Sequence, residues 1–195
     1  MELTRLFTTA KVKGQKNYIN SQKKYEIIRT VIYFFISLSL FAAGIAATGT
    51  RNNLLTIVAV LGCLPASKSL VSTVMYCRNT SLSDEDAQII EESADGLTCL
   101  YDMIFTTREK NYPVLHMAIC DNTVIGYMPY KKLSEADCGT HLITCLKVDS
   151  YTNVTVKIFI DIHKYAARLS QLKELADAND TQVEGIACTL KSIAL

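Results

Sequence analysis

No C-x-x-C pair occurs among the seven cysteines of this 195-residue chain, and their number is odd. Common zinc spacing is therefore missing, a disulfide framework is not expected, and a reducing compartment is the better reading. Also absent are G-x-S-x-G, the Walker A loop and G-x-G-x-x-G, so ATP- or dinucleotide-dependent chemistry by a familiar loop is not expected. No internal repeat and no low-complexity linker divides the chain. Acid is scarce in residues 1–78, where Glu2 and Glu26 face ten Lys/Arg. Residues 79–195 reverse the balance, with ten Lys/Arg against seventeen Asp/Glu, so the overall net charge of +1 conceals two oppositely charged parts. Such asymmetry marks different surroundings. A basic segment beside apolar helices suits an anionic membrane surface, and an acidic domain repels phosphate backbones, so no nucleic-acid partner is expected.

Apolar residues make up 49% of the chain and mean hydropathy is +0.18, but the excess is concentrated between Ile27 and Cys77. The first run, residues 27–47, is roughly 30 Å long as a helix, the thickness of a hydrocarbon core. It is longer than a signal-peptide core and polar sequence precedes it, so a span is expected. Its only charge, Arg29, lies at one end, within reach of the headgroups. The second run, residues 54–77, contains Pro65, which removes a backbone donor and predicts a kink. It also contains Lys68, expected to anchor the helix at the inner interface or to pair with a carboxylate or a lipid phosphate. Arg78 closes the run. About six residues separate the spans, so they form an antiparallel hairpin. Ser39, Ala43 and Ala47, with Gly62 and Ala66, are the small residues expected at its seam. Lys and Arg crowd the N-terminal flank whereas the hairpin loop carries only Arg51, which predicts that both termini are cytoplasmic. Three N-x-S/T matches, at Asn79, Asn153 and Asn179, are too short a motif to outweigh this. Residues 1–26 form a basic segment in which Leu3, Leu6, Phe7 and Ala10 fall at helical spacing, as for a short helix on the membrane or on the domain.

Residues 79–195 read as a cytoplasmic α/β (α+β) domain with a four-stranded sheet and about four helices. Ser83 caps a first helix whose opening turn is acidic and which ends near Gly96. Residues 97–107 alternate, with Leu97, Cys99, Tyr101, Met103 and Phe105 expected on one face. Residues 114–120 and 123–128 are strands joined at Asp121-Asn122. Ser134 caps the next helix, residues 154–160 form a fourth strand, and Asp161 caps a helix with an apolar stripe from Ile162 to Leu172. Thr181 and Glu184 form a capping box ahead of the last helix.

The order helix, three strands, helix, strand resembles the core of the restriction-endonuclease-like fold, in order alone. That resemblance implies an acid on the second strand and an acid-x-Lys pair on the third. Here the third strand, TVIGYM, has no acid, Asp121 lies at the turn, and Lys131 and Lys132 come later without a paired carboxylate, so an active nuclease of that kind is not expected. Cys138, His141 and Cys145 fall on one face of a helix, and His116 and Cys120 on one face of a strand. Zinc needs four converging ligands, and thiols and a histidine lining the core explain both groups more simply. Asp84–Asp86 and Glu91-Glu92 read as a solvated helix face. No metal, cofactor or small-molecule ligand is expected.

The function expected from these features is a membrane-anchored interaction or regulatory module. Its partners are the lipid bilayer and another protein or a second copy, and Arg29, Lys68 and Arg78 are the charges of interest. A membrane-tethered enzyme, a hydrolase or a degenerate nuclease-like domain, is the alternative. An oligomeric assembly with Lys68 facing a lumen is the third.

Overall fold

In the computed structural model, residues 13–50, 52–175 and 181–195 are described. The expected surface helix at Leu3–Ala10 and the loop charge Arg51 lie outside them. Among the described residues the protein is mixed α+β, with six helices and a four-stranded sheet. The chain divides into two compact units, Ile19–Thr80 and Ser81–Leu195, the second also taking in residues up to Tyr18.

The first unit is a pair of helices, α1 (Tyr18–Thr48) and α2 (Leu54–Arg78), both long and apolar enough to cross a membrane. α1 has 31 residues and begins well before the expected span, at Tyr18 rather than Ile27. The helix continues because the polar stretch Tyr18–Glu26 holds no helix breaker, and Gln22 donates one turn on to Glu26 at 3.3 Å. α2 is capped by Asn53, whose side chain accepts the Thr56 N–H, and runs through Pro65 without interruption.

The two helices meet along a heptad-like seam. On α2, Ala59, Ala66, Ser69 and Tyr76 are buried. On α1, Thr30, Ser37 and Gly44 recur every seventh residue and are buried in the same seam. A Cβ on Gly62 would come within 2.8 Å of Ser37 Oγ, and one on Gly44 within 3.0 Å of Leu55 Cβ. The seam expected on α1 was different. Ser39, Ala43 and Ala47 are exposed, whereas Gly62 and Ala66 do lie at the contact. Small size alone does not select a face; at one end of the seam, hydroxyls of Thr30, Ser69 and Thr73 pair across the interface.

The second unit contains α3 (Asp84–Ala94), β1 (Thr98–Thr106), β2 (Asn111–Cys120), β3 (Thr123–Tyr127), α4 (Glu135–Val148), β4 (Thr155–Phe159), α5 (Ile162–Leu175) and α6 (Thr181–Ile193). The sheet order is β1-β2-β3-β4, antiparallel except for the parallel pair β3–β4 that flanks α4 in sequence. α4 and α6 pack on one face around Met117, Leu142 and Leu190. α3 and α5 cover the other around Ile90, Ala118 and Leu169.

The expected caps form. Ser83 accepts the Asp86 N–H at 3.1 Å, Ser134 the Asp137 N–H at 3.1 Å, and Asp161 the His163 N–H at 2.9 Å. Backbone donors from Lys164 and His163 hold the Asp161 carboxyl below its ordinary range. The capping side chain of Thr181 lies outside the described residues.

Two strand details differ from the expectation. β2 includes Pro113 because β3 pairs only with His116–Cys120, so the imide at 113 faces no ladder on that side. In β1 the alternation slips. Cys99 and Tyr101 pack toward α3 and α5, but Met103 and Phe105 pack toward α4 and α6. The switch falls at Asp102, whose φ is +55° and whose buried carboxylate accepts the Leu82 N–H at 3.1 Å. The five residues expected on one face are thus divided between two.

The outer edge of β1 is covered by its own chain. The Tyr101 N–H donates to Gly14 O at 2.9 Å, and the Leu195 N–H to Ile104 O at 2.9 Å. At the opposite edge, beside β4, the Ile160 N–H donates to Glu135 at 3.0 Å, and Lys157 lies over the Phe159 ring. A charged residue on an edge strand opposes uncontrolled pairing.

Candidate functional site

A buried polar arrangement in the first unit lies within its seam. Glu26 is buried, with its side chain 4% exposed, and pairs with Arg29 one turn away on α1. The Arg29 Nε donates to Ser69 Oγ on α2 at 3.4 Å. Thr30 Oγ1 lies 2.8 Å from Ser69 Oγ and 2.9 Å from Thr73 Oγ1. Gln22 completes the row through Glu26. The arrangement is a short interhelical network of one ion pair and three hydroxyls. In apolar surroundings, groups of this kind hold helices together because no water competes for them.

Of the three charges singled out in the sequence, only Arg29 belongs to this network. Lys68, next to Ser69, is exposed, as is Arg78 at the end of α2. Neither forms an ion pair with a carboxylate among the described residues. Glu26, Thr30, Ser69 and Thr73 were not singled out. The recurrence of Thr30, Ser37 and Gly44 at intervals of seven is the signal that points to them.

In the second unit the candidate is an aromatic and histidine cluster between the sheet and α5. His116 Nδ1 lies 2.6 Å from the Tyr165 hydroxyl. The Tyr101 ring meets the His116 ring edge-on at 4.6 Å, and Tyr127 stacks on Tyr165 at 5.7 Å. The Tyr127 hydroxyl donates to Asp86 of α3 at 3.3 Å. Burial pushes His116 down to about 3, so the ring is neutral at physiological pH. Burial also raises Tyr101 and Tyr127 to about 12 and Cys99 to about 11. Among the described residues, His116 Nε2 has no hydrogen-bond partner. At 0% exposure, however, the imidazole offers no atom to a substrate arriving from solvent. The cluster is a polar insertion in the core, and its chemistry is to stay neutral.

The thiol–histidine group on α4 does not converge. Cys138 is buried among core residues such as Leu142, and its thiol is raised to about 12 by burial. His141 Nε2 and Cys145 Sγ approach to 3.8 Å on the helix flank. Among the described residues, no group of three His, Cys, Asp or Glu is placed to hold a metal ion. His116 and Cys120 both face α5, but Cys120 Sγ points at Leu172 O, 3.7 Å away. Asp121 sits at the turn with φ +47°.

Comparison of the chain with protein families, with curated proteins and with solved structures finds no match.

Proposed function

We propose that this protein is a membrane-anchored interaction or regulatory module. Its helical hairpin spans a bilayer and holds the acidic α/β unit at the cytoplasmic face, where that unit binds another protein. One observation carries the proposal. Every large hydrophobic residue that is exposed, Val148 excepted, lies on α1 or α2, among the described residues. Exposed side chains such as Phe35, Leu38, Leu61 and Leu64 surround a seam of small residues with polar groups paired at one end. Such an inverted distribution is stable in hydrocarbon and costly in water. The charge asymmetry supports the orientation, because basic residues flank the base of the hairpin.

The test is affinity purification of the intact chain from native membranes in mild detergent, alongside a chain lacking residues 81–195. The proposal predicts a stoichiometric co-purifying protein with the intact chain and its loss on truncation. Recovery of the intact chain alone contradicts it.

A further inference from the structure

We propose that the base of the hairpin is a binding site for an anionic phospholipid, with Lys68 contacting the lipid phosphate. The inference rests on the membrane-spanning reading and adds to it a lipid class and a site.

The first unit holds a single described acid, Glu26, and that carboxylate is already committed to Arg29. The basic side chains Lys23, Lys24, Lys68 and Arg78 at the same end of the hairpin have no carboxylate partner among the described residues. Lys24, Lys68 and Arg78 are exposed and Lys23 is half-buried.

Lys68 is the residue that distinguishes a site from a general basic fringe. A hydrocarbon core of roughly 30 Å accommodates about twenty helical residues. Measured from Leu54, the inner boundary falls near Val74, which leaves the Lys68 backbone about 9 Å inside it. Measured from Ala47 on α1, the same boundary falls near Ile27, with Arg29 about 3 Å inside. An ammonium on the outward surface at that depth must be neutralised or reach the headgroups. No carboxylate in the seam is free to do the first. A phosphate drawn down toward Lys68 does both, and the ammonium suits it as a compact point charge.

The surroundings hold the site in place. Ser69, the neighbour of Lys68, accepts from Arg29 and bonds to Thr30, so the Lys68 backbone is fixed by the polar seam. The lipid tails then lie along exposed residues toward the midplane such as Leu64 and Leu61. Several cations without a carboxylate partner at one end of the hairpin favour a lipid with net negative charge over a zwitterionic one.

The experiment uses the full chain reconstituted in nanodiscs of mixed phosphatidylcholine and phosphatidylglycerol, released into the gas phase for native mass spectrometry. Wild type is expected to retain phosphatidylglycerol in preference to phosphatidylcholine. Lys68→Gln is expected to lower that preference about fivefold, Lys68→Arg to restore it, and Lys24→Gln to change it less. Equal retention of the two lipids, or an unchanged preference in Lys68→Gln, overturns the proposal while leaving the membrane reading intact. Failure of the wild-type chain to enter nanodiscs of any composition overturns both.

Discussion

The two units of this protein are built with opposite polarity. In the helical hairpin, Glu26, Thr30, Ser37 and Ser69 are buried, while Phe35, Leu38, Leu61 and Leu64 point outward. In the α/β unit, Met117, Ile119, Leu142 and Leu190 are buried, and the helix surfaces carry the acidic residues. On the proposed membrane-spanning reading, one chemistry explains both arrangements. Where water is the solvent, apolar area is driven inward; where lipid tails are the solvent, that drive disappears and polar contacts hold the helices instead. Each unit also carries exceptions that test the rule. The hairpin leaves Lys68 on its outer surface, and the α/β unit buries His116.

The largest expected effect comes from breaking the hairpin's internal ion pair. Glu26→Ala leaves the Arg29 guanidinium half-buried without its carboxylate, and breaking buried pairs costs about 3–5 kcal/mol. Thermal unfolding in detergent should show the hairpin weakened while the α/β unit keeps its own transition. Next comes a charge placed on the outer surface. Phe35→Asp, mid-span, should oppose insertion by about 3 kcal/mol and shift the chain from the membrane fraction to the soluble or aggregated fraction. Val148→Lys, on the surface of the α/β unit, should leave stability within about 0.5 kcal/mol of wild type.

The buried histidine gives a smaller, pH-dependent effect. Its folded-state value near 3 lies below the ordinary 6.5, so between these limits only the unfolded chain binds the proton. The contribution of neutral His116 to stability is therefore complete above pH 6.5 and falls as pH drops toward 3. Lowering the pH from about 6.5 to about 5 should cost about 2 kcal/mol, read from urea unfolding of the α/β unit's transition. In His116→Phe that slope should vanish, at the expense of a lower plateau because the Tyr165 hydroxyl loses its partner. A smaller effect again, though above that of Val148→Lys, is expected for Thr30→Val, which removes hydroxyl contacts to Ser69 and Thr73. Interhelical bonds of this kind average about 0.6 kcal/mol in membrane proteins.

Features that depend on a few adjacent residues were legible in the sequence. The caps at Ser83, Ser134 and Asp161, the turn at Asp121-Asn122 and the extents of β3 and α2 all follow from local chemistry. Features that depend on a partner element were not. The start of α1 was hidden because Tyr18–Glu26 is polar, and hydropathy marks where an apolar run begins rather than where a helix begins. Pro113 enters a strand because β3 is too short to face it, a fact about a neighbour. The face switch in β1 turns on one residue, Asp102, held in a left-handed conformation by a bond to Leu82, twenty residues earlier. The candidate site was half legible. Arg29 and Lys68 stood out as charges in apolar runs, whereas Glu26, Thr30, Ser69 and Thr73 acquire meaning only when the two helices are aligned.

The measurement that bears most directly on the inverted hairpin is thiol accessibility in sealed, right-side-out vesicles. A membrane-impermeant maleimide would be applied to a Thr50→Cys chain, with peptide mapping of the introduced loop thiol and of the native, exposed Cys188. Labelling of the loop thiol in intact vesicles, and of Cys188 only after permeabilisation, is the predicted result. Equal labelling of both without permeabilisation, or recovery of the chain in the soluble fraction, would contradict the account.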